Sequence, residues 1–119
     1  MTGSKILIRN KTRSTVLAEA ADVAGTSQLR RRGLLDRKTL EPGQGLWIAP
    51  CESVHTFGMK FAIDVVYLDR KKKIRKISAG LAPRRISVCL AAESVLEIPS
   101  GTAALTRSQV GDELEFVRV

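Results

Sequence analysis

Three ionisable side chains in this 119-residue chain stand where such groups are out of place or alone. Asp64 lies inside Ile63-Asp64-Val65-Val66-Tyr67-Leu68, and Glu97 inside Val95-Leu96-Glu97-Ile98. His55, the only histidine, opens the segment His55-Thr56-Phe57-Gly58-Met59-Lys60. A carboxylate in apolar company costs several kcal/mol unless a cation, backbone donors or an open cavity meets it. Strand alternation puts Ile63, Val65 and Tyr67 on one face and Asp64, Val66 and Leu68 on the other. Arg32 is the candidate partner for Asp64, because a guanidinium fork can hold a carboxylate through two bonds. Asp64 then has two readings: a buried pair that ties a helix to the sheet, or an acid that faces a ligand. The same alternation sets Val95 and Glu97 opposite Leu96 and Ile98. Glu97 either faces solvent or joins Asp64 as the second acid of a hydrolytic pair. His55 in a loop offers proton transfer or a hydrogen-bonded clip. Phe57 and Met59, two apart, suit core plugs better than a ligand platform. No serine or cysteine stands in a recognisable nucleophile motif, and Cys51 is near His55 only in sequence.

The hydrophobic pattern predicts a scaffold made mainly of strands. Residues 5–9 and 14–20 read as a strand pair joined by the turn 10–13. Thr26 or Ser27 caps a helix through Gln28–Arg32, stopped by Gly33, with three arginines where the helix dipole favours cations. Strands follow at 46–49 and 63–68, with residues 51–54 as a loop between them; a turn at 69–73 returns the chain through 74–77. After a loop at 81–85 come strands at 86–90 and 94–98, one or two helical turns within 102–108, and a last strand at 113–117. This is an α+β pattern: a single domain over residues 1–119, built on a mainly antiparallel, curved or barrel-like sheet with two short helices.

A net charge of +8 and a pI near 10.1 favour polyanionic partners: nucleic acid, anionic membrane or acidic protein. The cations cluster at Arg30-Arg31-Arg32, along the hairpin that includes Lys71, Lys72 and Lys73, and at Arg84-Arg85. A projecting basic hairpin can follow phosphates. The chain has few interleaved aromatics for stacking on single strands, and it has no helix-turn-helix or zinc-finger signature. Cys51 and Cys89 lie far apart in the sequence, and one histidine cannot complete a Cys/His zinc set, so neither metal nor cofactor is expected. No apolar run approaches the roughly 20 residues of a membrane helix, and the start shows no leader pattern, so a cytoplasmic location is expected.

Several short motifs recur here in a fixed order. Arg32-Gly33-Leu34-Leu35 and Gly43-x-Gly45-Leu46 are followed by His55-Thr56-Phe57-x-Met59-Lys60 and Ile63-Asp64-Val65-Val66-x-Leu68-Asp69. Leu96-Glu97, Gly101-Thr102-Ala103 and Val110-Gly111-Asp112 complete the series. Over residues 14–117 the chain resembles the domain of unknown function family catalogued as number 192. The resemblance implies a β-rich domain and no particular reaction. Gly58 stands where members of that family commonly carry a bulky aromatic. The leading functional expectation is a small binding or accessory domain with a polar pocket around Asp64, joined by His55, Arg32 and Glu97. One alternative is a hydrolytic enzyme that uses the same acids on a small or sugar-like ligand. The other is nonspecific nucleic-acid binding through Arg30, Arg31, Lys71, Lys72, Lys73, Arg84 and Arg85.

Overall fold

A computed structural model describes residues 5–118; the first four residues, on which the expectation of a leaderless start rests, lie outside the described part. Its order is β1 (Ile6–Asn10), β2 (Thr15–Ala24), α1 (Ser27–Arg32), β3 (Gln44–Ile48), β4 (Ser53–His55) and β5 (Ile63–Leu68). Then come β6 (Ile74–Leu81), β7 (Ile86–Val88), β8 (Ser94–Pro99), α2 (Thr102–Leu105) and β9 (Leu114–Arg118). Seven strands form one sheet in the order β6-β5-β8-β3-β2-β1-β9, and β4 pairs with β7 in a separate ribbon. Every pairing in the large sheet is antiparallel except β2 with β3. The sheet curls until a bridge between Lys73 and Glu113 joins its two ends, giving a half-barrel. The α+β, mainly antiparallel, barrel-like architecture expected from the pattern is the one observed, with α1 and α2 as its two short helices.

Local signals set most element boundaries. The Thr26 side chain accepts from the Leu29 N–H (3.1 Å), and the Gly33 N–H closes α1 onto the Leu29 carbonyl. Strand β2 runs on to Ala24, past the expected end at residue 20, because its second half pairs with β3. Its Ala-rich sequence carries no strand signal of its own, so a neighbouring strand makes the extension. Residues 53–55, expected as loop, are drawn into β4 by pairing with β7 in the same way. Parallel neighbours such as β2 and β3 need a long crossover. Residues 25–43 supply it, carrying α1 and laying Leu34 and Leu40 over the sheet.

The core is split by the sheet. Ile8, Leu17, Val66, Ile74, Leu96, Ile98 and Leu114 come from both ends of the strand order yet meet in one cluster, which places them on the concave side. Ile48, Val54, Met59, Ile63, Val65, Tyr67 and Val95 form the second cluster with Leu34 and Leu40 on the convex side. Gly45 lies where β3 approaches β8 closely: a Cβ there would stand 3.2 Å from the Glu97 carbonyl oxygen and 3.3 Å from Ala18 and Ile98 side-chain carbons.

Asp64 points to the concave side, next to Ile98 in the register, and is 1% exposed. Its Oδ1 accepts from the Gly80 N–H (2.8 Å), and its Oδ2 from the N–H groups of Gly101 (3.1 Å) and Ala103 (2.9 Å). Gly101 sits at φ +95, a left-handed conformation that glycine adopts without strain and that holds this turn under the carboxylate. Asp64 therefore ties β5 to the end of β6 and to α2 through backbone donors. The expected partner, Arg32, is instead at the surface in an i,i+4 pair with Asp36 (2.6 Å). The correction has a simple cause: α1 crosses the convex side, whereas Asp64 faces the concave one. Asp64→Asn would retain the size but turn an NH2 group toward at least one of these N–H donors. The variant is expected to lose about 3 kcal/mol of unfolding free energy, measured by urea titration; unchanged stability would show that the clip contributes nothing.

Candidate functional site

The chemistry-bearing feature of this structure lies on the convex face and is built around Glu97. In the register Glu97 stands between Leu46 of β3 and Val65 of β5, so its side chain shares the face of Val95 and Ile48. It is 3% exposed, and its Oε1 is buried with no hydrogen-bond partner. Burial without a compensating donor pushes its carboxyl up to about 7, against a smaller downward pull from the positive charge of Arg37. Arg37 itself is bound to Asp22 (2.6 Å). A glutamic acid near half-protonation at neutral pH can donate or accept a proton or hydrogen bond at the same atom.

Glu97 lines a cavity of about 80 Å³ between the crossover segment and β4. Leu34, Ile48, Val54 and Met59 give it apolar walls, and Arg30, Arg31, Arg32, Cys51 and His55 supply its polar ones. A water needs roughly 10–15 Å³ of such space, so this volume holds several waters or one polar end of a small ligand. The Arg30 guanidinium donates to the Gly25 carbonyl (3.0 Å) and Arg32 pairs with Asp36, while Arg31 is exposed and has no polar partner among the described residues. Burial raises the Cys51 thiol, whose Sγ donates to the Ser53 carbonyl (3.1 Å), so it is a protonated wall group at neutral pH. Both cysteines are free. No group of three or more His, Cys, Asp or Glu among the described residues is placed to hold a metal ion.

The structure thus brings three of the four expected pocket residues, His55, Arg32 and Glu97, to one cavity, and places Asp64 on the other side of the sheet. Asp64 and Glu97 cannot act as paired acids across one cleft, because they belong to opposite faces of neighbouring strands. Glu97 does not face solvent either. The signal that could have shown this is its flanking sequence, apolar on both sides with no polar alternation, as in strands buried on both faces. The walls from Leu34, Cys51 and Met59 had no such signal, since loop crossings place them. In the His55-Thr56 motif the threonine is the structural member. Its hydroxyl donates to the Ala82 carbonyl (2.6 Å) and accepts from the Arg85 N–H (2.9 Å), fastening β4 beside β7 and leaving His55 exposed.

The basic clusters have different surroundings. The hairpin of Lys71, Lys72 and Lys73 does not project as a ribbon, because it is bonded to the start of β9: Leu114 N–H donates to the Lys72 carbonyl (2.9 Å) and Ile74 N–H to the Asp112 carbonyl (2.9 Å). The Lys72 ammonium lies over the rings of Trp47 (5.2 Å) and Phe116 (5.4 Å), which cover the concave side. Arg30 and Arg31 border the cavity, and Arg84 and Arg85 precede β7.

A half-barrel of mixed, mainly antiparallel strands, with a buried acid that has no hydrogen-bond partner for its Oε1 among the described residues under a helix-bearing crossover, defines the class of protein. No helix among the described residues is long and apolar enough to cross a membrane. The chain belongs to the family described as Uncharacterized ACR, the domain of unknown function numbered 192, whose profile matches residues 8–116. It is 31% identical over 118 residues to a UPF0127 protein of Pyrococcus abyssi, covering 93% of this chain and 97% of that one. A UPF0127 protein of Thermococcus sibiricus is 27% identical over 118 residues, with 92% and 74% covered. The fold is similar to a crystallised protein of unknown function from Novosphingobium aromaticivorans, with TM-score 0.80, 19% identity, and 93% of this chain and 83% of that chain covered. It is also similar to a Sinorhizobium meliloti protein described as a candidate transcription regulator, with TM-score 0.83, 19% identity, and 95% and 92% covered.

The raised Glu97 carboxyl has a consequence for stability. Below about pH 4.5 both folded and unfolded forms carry the proton; between there and about 7 only the unfolded chain releases it. Stability therefore falls as pH rises through this window and levels off above it, by on the order of 3 kcal/mol at ~1.4 kcal/mol for each pH unit. Glu97→Gln should remove this slope: equal to the natural protein near pH 4.5 and more stable than it at pH 8, in urea unfolding at each pH. Parallel pH profiles for the two would show that Glu97 is ionised in the folded protein without cost.

Proposed function

We propose that this protein is a small-molecule binding domain whose site is the cavity floored by Glu97. The single observation that supports this reading most is the Glu97 carboxyl in the cavity wall, whose Oε1 is buried with no donor among the described residues. Buried polar atoms in folded proteins are nearly always satisfied, and a ligand N–H or O–H entering the cavity would satisfy this carboxyl once the Glu97 side chain turns toward it. The arginines at the mouth, Arg31 above all, suit a negative charge at the ligand's other end. A small polar molecule of the hydroxy-acid, amino-acid or sugar-acid kind has both features. Binding is preferred to hydrolysis because the second acid that catalysis would need, Asp64, faces the other side of the sheet. The nucleic-acid reading has weaker support, since Lys72 is engaged with Trp47 and Phe116 and its hairpin is bonded to the start of β9.

A thermal-shift screen of such compounds tests the proposal. A ligand at about 100 times its Kd adds roughly 2.7 kcal/mol, which reads as a rise of several degrees in Tm. Glu97→Ala and Arg31→Ala should each weaken the hit at least tenfold. A ligand donor bonded to the carboxylate favours the ionised acid, so affinity should rise with pH through about 7. A hit indifferent to both substitutions and to pH would move the site elsewhere.

A further inference from the structure

The β4–β7 ribbon stands outside the seven-stranded sheet and turns one face to solvent. Its register pairs His55 with Ile86 and Ser53 with Val88, so these four share a face, while Val54 and Ser87 between them point inward and are buried. Ile86 is 66% exposed and Val88 43%; Leu90, two residues on, is 77% exposed. Phe57 is 49% exposed, with its ring 5.8 Å from that of His55. Ile86 and Val88 thus share the exposed face, with Phe57 beside His55 at one end of the ribbon and Leu90 in the turn beyond the other.

Cations surround it. Arg84 and Arg85 are exposed, and their N–H groups bond Thr56, next to Phe57. The Lys76 ammonium donates to the Val88 carbonyl (2.8 Å) at the ribbon's side. Across the cavity mouth from Ser53 and His55 lie Arg31 and Arg32. Acids lie at the far end: Glu52, whose carbonyl accepts from the Cys89 N–H, and Glu93, whose carbonyl accepts from the Cys51 N–H; Asp36 pairs with Arg32. We infer that this face docks on an anionic lipid bilayer, with Phe57, Ile86, Val88 and Leu90 entering the headgroup boundary and Arg84, Arg85, Lys76 and Arg31 meeting the anionic headgroups.

Three physical points select that occupant. An apolar centre ringed by cations complements a surface that offers hydrocarbon below and negative charge at its rim. Four side chains, two on β7 and two in the turns beyond β4 and β7, are far fewer than the roughly 20–30 residues a side of a stable protein interface, but they suffice for a peripheral membrane contact that adds many small terms. Ile86, Val88 and Leu90 are aliphatic and offer nothing to nucleic acid, whose single strands are gripped by aromatic stacking, which leaves Phe57 beside His55 as the ring pair for that role on this face.

The test is flotation of the full chain with phosphatidylcholine vesicles, alone and with about one third phosphatidylglycerol, at low and at physiological salt. The natural protein should float with the anionic vesicles and much less with the neutral ones. Ile86→Ser combined with Leu90→Ser should lower partitioning at least tenfold with an unchanged circular dichroism spectrum, since both side chains are exposed. Arg84→Gln combined with Arg85→Gln should lower it by ~10-fold or more, at about fivefold for each basic residue near such a surface. No partitioning would overturn the inference. So would partitioning that the serine pair leaves intact and salt abolishes, which is plain electrostatic adsorption. A concentration-dependent dimer in sedimentation equilibrium that the serine pair dissolves would assign this face to a second copy, and likewise overturn it.

Discussion

Strands β5 and β8 lie side by side within the sheet and are buried on both faces, and the rest of the molecule follows from covering them. One face is covered by curling the sheet on itself until its ends meet at Lys73 and Glu113. The other is covered by the two excursions that the topology leaves available, the β2–β3 crossover and the β4–β7 ribbon. Neither cover works alone, because each strand presents apolar side chains alternately to both sides. Each strand also carries one acid, Asp64 in β5 and Glu97 in β8, into an interior of low polarity.

The two acids meet different fates. Asp64 faces the concave side at the end where β6 and α2 turn back, and three backbone N–H groups converge on it. A carboxylate so held is a structural fastening. Glu97 faces the convex side, where the cover consists of side chains from Leu34, Val54 and Met59 that have no donors to give. It is left in the wall of a cavity without a donor to its Oε1 among the described residues, its proton held to about pH 7. The same chemical group, one register step away, becomes a clip on one side of a sheet and a binding feature on the other.

The surface repeats this division. Where Thr56 fastens β4 to β7, the inner side chains Val54 and Ser87 seal the convex core, and the outer ones have nothing over them. The Lys71–Lys73 hairpin, whose charge alone suggests an exposed arm, is spent on closing the half-barrel: its backbone bonds β9 and Lys72 covers Trp47 and Phe116. The backbone of this basic segment is thus structural, while Arg70, Lys71, Lys73, Arg75 and Lys76 stay exposed together with Arg31, Arg84 and Arg85.

What the sequence by itself determined was local and periodic. The alternation in 63–68 and 95–98 assigned each residue its face, Thr26 and Gly33 bounded α1, and the ordered motifs from Arg32-Gly33 to Gly111-Asp112 carried the family resemblance. Those signals depend on neighbours one to four residues apart, which the chain states directly. The tertiary structure alone decided what each face would meet. The donors to Asp64 lie 16 to 39 residues away, the walls around Glu97 come from a crossover and a ribbon distant in sequence, and β2 and β4 extend only because partners pair with them. An acid in an apolar strand announces that it needs a partner; only the packing of remote segments settles whether the protein supplies one or leaves the place to a ligand.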